Sequence, residues 1–104
     1  MTKPTLAALR PPRYAPVRLC SGKGGYEAVP EAPVRIDLRR ARQALEATGV
    51  EVVDARVLLI AAIDPEVTLS EDGRVLVKTR DPEAASRALA ELWARIERGR
   101  PRPG

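Results

Sequence analysis

Apolar and polar residues alternate along Glu66–Ser70, and a second run, Arg74–Arg80, carries Val75-Leu76-Val77 between charged residues, with Glu71-Asp72-Gly73 between the two runs. Alternation with period two marks β-strands that bury one face, and an Asp-Gly pair between two such runs marks a hairpin. A two-residue loop at Asp72-Gly73 sets Val67 opposite Lys78 and mixes apolar with charged side chains. A three-residue loop, Glu71-Asp72-Gly73 with Gly73 left-handed, sets Val67 against Val77, Leu69 against Val75 and Glu66 against Lys78. The second register sorts the faces, and since a one-residue slip would invert every side chain, the sorting is itself an argument for it. Val67, Leu69, Val75, Val77 and Thr79 then share one face. Glu66, Thr68, Ser70, Arg74, Leu76, Lys78 and Arg80 share the other.

Beyond the hairpin the period changes to that of a helix. Asp81 is placed to cap it, Pro82 suits a first helical position that needs no N–H, and Glu83 complements the positive end of the dipole. Ala85, Leu89, Leu92, Trp93 and Ile96 form an apolar stripe, Arg87, Glu91 and Arg95 a charged ladder, and Gly99 and Pro101 mark the stop. Upstream, Val34 and Ile36 flank Arg35 as a short strand. Asp37 then caps a second helix whose face is Leu38, Ala41, Leu45 and Thr48 and whose end is Gly49. Its other side carries Arg39, Arg40, Gln43 and Glu46 and reads as a solvated surface. Val50–Val53 and Arg56–Ile63 are further strands joined at Asp54-Ala55. The second is apolar almost throughout, as befits a strand covered on both sides, or by a helix on one side and a partner on the other.

These elements predict an α+β domain over residues 33–99: an antiparallel sheet of three to four strands with two helices on one face, in the order β-α-β-β-β-α. Residues 1–32, with repeated prolines and Gly22, Gly24 and Gly25, read as an extended arm, partly disordered, in which Val17–Leu19 and Tyr26–Val29 have the makings of short edge strands. Residues 100–104 form a basic tail.

Composition narrows the function. The chain has 104 residues, 44% of them hydrophobic, but no Phe, two Tyr and one Trp, so its core is small and aliphatic. A thin core favours a second copy or a bound partner. One cysteine excludes an internal disulfide, and the absence of histidine argues against a zinc site; no metal and no cofactor are expected. A lone thiol, no apolar run of membrane-spanning length and no signal-peptide core point to the cytoplasm. The net charge of +4 is uneven: residues 1–36 and 74–104 are basic, while residues 37–73 are acidic. Such a field attracts an acidic protein surface or a polyanion, and equally serves solubility.

No complete catalytic constellation is present. Ser21-Gly22-Lys23-Gly24-Gly25 resembles a phosphate loop in composition only, because Tyr26–Pro30 follows where a helix must start. Cys20 is the one candidate thiol nucleophile; Arg18 and Lys23 are near it in sequence, but no histidine exists to act as its base. Asp64, Glu66, Glu71 and Asp72 sit at turns, where carboxylates ordinarily serve local hydrogen bonds. The candidate binding surface is therefore Arg74, Lys78 and Arg80 on the polar hairpin face together with Arg98, Arg100 and Arg102. Such a strip is able to follow a phosphate backbone, though it lacks the aromatic rings that stack on bases.

Pro33–Leu38, the helix ending at Gly49, Leu58-Leu59, Glu66–Leu69, Asp72–Lys78, Asp81-Pro82 and Leu92–Arg95 resemble the small C-terminal domain of ThiF/MoeB-type adenylyltransferases, relatives of ubiquitin-activating enzymes. Thr79 departs from that pattern, where a glycine is expected. The order of elements is also similar to one half of a TATA-box-binding-protein fold. In the adenylyltransferases the chemistry lies in a glycine-rich ATP loop, a catalytic Asp and Arg, and paired zinc cysteines, none of which is found here. The resemblance thus implies an appended domain standing alone, a non-enzymatic module that docks a protein partner in sulfur-carrier activation. The alternative expectation is a basic nucleic-acid-binding protein that uses the outer sheet face and the tails.

Overall fold

A computed structural model describes residues 9–20, 22 and 24–100. The strands are β1 (Arg18–Cys20), β2 (Gly25–Ala28), β3 (Val52–Asp54), β4 (Leu58–Ala61), β5 (Val67–Ser70) and β6 (Val75–Val77), and the helices are α1 (Leu38–Ala47) and α2 (Pro82–Gly99). All six strands join one antiparallel sheet in the order β1-β2-β6-β5-β4-β3. The fold is α+β, as expected, but the sheet has six strands rather than three to four.

The β5–β6 hairpin adopts the three-residue-loop register. Val67 pairs with Val77 and Leu69 with Val75, and the Lys78 N–H donates to the Glu66 carbonyl at 3.0 Å. Gly73 takes a φ of 87°, and Asp72 Oδ1 accepts from the Arg74 N–H at 3.1 Å. Glycine is required at position 73 twice over, since a β-carbon there would also meet Val34 Cγ2 at 2.5 Å.

Two of the strands come from the proline- and glycine-rich arm. Prolines do exclude regular pairing where they stand, but Arg18–Cys20 and Gly25–Ala28 lie between them, and β2 closes the open edge of β6 through Tyr26–Val77 and Ala28–Val75 pairs. Gly25 permits this because a β-carbon there would run into the Val77 carbonyl. The described part of the arm is thus packed: Leu9 and Ala28 are buried in the core. The Tyr14 hydroxyl donates to the Gly73 carbonyl at 2.6 Å and accepts from Trp93 Nε1 at 3.2 Å. Pro33–Ile36, by contrast, makes no strand of the sheet; the Ile36 N–H bonds the hairpin loop at the Glu71 carbonyl, 2.8 Å away.

Both helices begin where their caps predict. Asp37 accepts from the Arg40 N–H and Asp81 from the Glu83 N–H, at 3.1 and 3.0 Å. Gly49, at φ 86°, turns the chain out of α1. α2 ends at Gly99, as expected, and Gly99 has a second role, since a β-carbon on it would strike the backbone of Ala44. Its missing side chain lets the two helices touch. Together they cover one face of the sheet, burying Leu59, Ala61, Val67, Leu69, Val75 and Val77 under Ala41, Leu45, Ala85, Leu92, Trp93 and Ile96. Among the described residues no helix is long and apolar enough to cross a membrane.

Candidate interaction surface

Pairing register determines what lies on the far side of the sheet. The cross-strand row that includes Leu59, Leu69, Val75 and Ala28 is buried under the helices, so the adjacent row points the other way. That row is Val53, Ile60, Thr68, Leu76, Glu27 and Arg18. Leu58 and Ser70, also paired, stand beside it. Leu58, Ile60 and Leu76 are half-buried, yet none belongs to the core cluster or packs against it. Val53 is 60% exposed, and Val57, in the turn before β4, is 62% exposed.

β4 buries Leu59 and Ala61 beneath the helices and presents Leu58 and Ile60 on the opposite face, half-buried and outside the core cluster. A strand of a one-sided sheet ordinarily shows polar residues there.

The candidate cations do not assemble into one surface. Arg74 and Lys78 lie on the β6 side of the outer face, each beside a carboxylate: Arg74 Nε is 3.4 Å from Asp72 Oδ2, and Lys78 Nζ is 3.2 Å from Glu66 Oε2. Arg80 is exposed in the link to α2. Arg98 and Arg100 sit at the end of α2, in the helical layer, where Arg98 meets Glu91 at 3.4 Å and Arg100 meets Glu97 at 2.9 Å. Arg100 also donates to the Leu9 carbonyl at 3.0 Å, tying down the arm. Arg102 lies outside the described residues, as do Ser21 and Lys23 of the glycine-rich loop. Glu91, between Arg95 and Arg98, has its carboxyl held below the usual range, chiefly by the Arg95 hydrogen bond.

Cys20 is half-buried on edge strand β1, opposite Gly25. No side chain among the described residues hydrogen-bonds to it. Among the described residues no three His, Cys, Asp or Glu side chains come together as a metal site.

One feature escaped the sequence pattern. Arg35, Arg39, Arg42 and Arg56 line an open concavity of about 510 Å³ whose floor is Ile36 and Leu38 and whose rim includes Asp37, Asp54 and Glu71. These residues come from the strand-like approach to α1, its first turns, the β3–β4 turn and the hairpin loop. No local spacing announces such a cluster. No protein-family model matches the chain, and no curated protein and no solved structure is significantly similar to it.

Proposed function

We propose that the chain is a non-enzymatic docking module whose outer sheet face receives a protein partner. The observation that carries this reading is the apolar group Val53, Leu58, Ile60 and Leu76, which lies outside the core cluster on the sheet face opposite the helices, with Val53 exposed and the other three half-buried. Apolar side chains left together on an otherwise satisfied fold gain free energy when a complementary surface removes them from water. The charges around them favour a protein over a polyanion: Lys78 and Arg74 already have carboxylate neighbours, and Glu27 stands in the same row as Leu76. The resemblance to the adenylyltransferase C-terminal domain gives the partner a setting, sulfur-carrier activation, and the absence of that family's catalytic parts makes the role accessory.

A photo-crosslinking side chain at position 60 tests the reading against one at the exposed helical position 87. The expected result is a protein adduct from position 60 and none from 87. Adducts from both positions alike, or adducts with nucleic acid, would overturn it. Duplex binding with a steep salt dependence that weakens in Arg74→Ala with Lys78→Ala would likewise favour the nucleic-acid alternative.

A further inference from the structure

The arginine-lined concavity gathers several cations into one hollow. Arg74, Arg95, Arg98 and Arg100 each face a carboxylate on their own or a neighbouring element. Arg35, Arg39 and Arg56 have no ion-pair partner among the described residues, although they converge on one hollow. Arg42 is fixed at its wall, 3.3 Å from Glu46 and 3.4 Å from Asp54. Asp54 also accepts from the Arg56 N–H at 2.9 Å, so its charge is spent on the wall and the turn. Arg56 itself is held at a φ of 72°, the one described residue other than glycine in the left-handed region, which carries its side chain on a tight turn at the rim. The first turn of α1 opens onto the same space, adding the positive end of its dipole.

The two remaining carboxylates decide what kind of anion fits. Asp37 is engaged in capping, but the Glu71 side chain has no partner among the described residues. A phosphodiester group of a nucleic-acid backbone offers only acceptors and would be repelled by Glu71. A peptide with spaced Asp or Glu side chains supplies carboxylates to Arg35, Arg39 and Arg56 and amide N–H groups to Glu71. We infer that this concavity is a binding site for an acidic peptide segment, received by Arg35, Arg39 and Arg56 with Arg42 as its fixed wall. The inference rests on the reading of the chain as a docking module and names the chemistry of one part of the partner.

The test is fluorescence-anisotropy titration of a labelled six-residue peptide alternating Glu and Gly, with the full chain, at physiological ionic strength. The site variant is Arg35→Gln, Arg39→Gln and Arg56→Gly, in which glycine suits the left-handed turn and keeps the loop. The control, Arg80→Gln, Arg87→Gln and Arg98→Gln, removes the same charge away from the concavity. About tenfold weaker peptide binding in the site variant is expected, with less than about a twofold change in the control. Equal losses in the two variants, no measurable peptide binding by the unmodified chain, or displacement of the peptide by inorganic phosphate at equal concentration would overturn the inference. Crosslinking from position 60 reports docking on the sheet whether or not the peptide binds, so the two readings fail separately.

Discussion

Tyr14 joins three segments that are distant in sequence: the arm that carries it, the hairpin loop at Gly73 and the helix at Trp93. Burial pushes its phenol up to about 12; the Trp93 hydrogen bond works against that shift, and Asp72 adds to it. A folded-state pKa above the unfolded value of about 10 means that Tyr14 contributes full stability below pH 10 and loses it as the pH rises toward 12. Tyr14→Phe should therefore lower stability by about 1–2 kcal/mol at pH 7 in urea denaturation, and should flatten the decline between pH 10 and 12 relative to the unmodified chain. At Arg56, glycine relieves a left-handed cost of about 1–2 kcal/mol and adds chain entropy of about 0.5–1 kcal/mol to the unfolded state. Arg56→Gly alone should leave the urea midpoint unchanged or raised. Neither role was legible in the sequence. Gly73 was, because an Asp-Gly pair between alternating runs states its own geometry. Tyr14 and the arginines of the concavity find their neighbours only after the chain has folded.

At the scale of elements, legibility followed the same division between local and distant causes. The hairpin register and both helix caps depend on residues within a few positions of one another, and they stand as expected. The β1–β2 hairpin depends on β6 offering an open edge, so the sequence showed Val17–Leu19 and Tyr26–Val29 as the makings of edge strands, while the prolines around them pointed to an extended arm. Gly99 illustrates a second limit. Past the end of an apolar stripe a glycine is ordinarily a helix stop, and α2 does end there, but its lack of a side chain also admits Ala44 of α1. Gly99→Ala should raise intrinsic helix propensity and yet destabilise the protein by about 1–3 kcal/mol, because the β-carbon must force the helices apart. A stabilised variant in thermal or urea denaturation would show that the helices do not meet there.

The whole molecule is a slab, 22 Å along its short axis, which is the depth of one helical layer on one sheet. Nearly all of its large buried side chains lie between those layers, and on the sheet's second face Leu58, Ile60 and Leu76 stay half-buried, outside the core cluster. Sequence reading reached the premise of this arrangement, since an apolar run at residues 56–63 demanded cover on both sides. It did not place the cover, and it gathered Arg74, Lys78, Arg98 and Arg100 into one strip that the fold divides between two layers. Ile60→Glu and Leu76→Glu should each cost less than about 1 kcal/mol, because neither side chain supports the core. Their effect belongs to association. The most direct measurement is capture of proteins from native extract by the immobilised full chain and by the Ile60→Glu, Leu76→Glu double variant, with circular dichroism confirming that both are folded. The account predicts a protein retained by the unmodified chain and lost from the variant; the same protein held equally by both would contradict it.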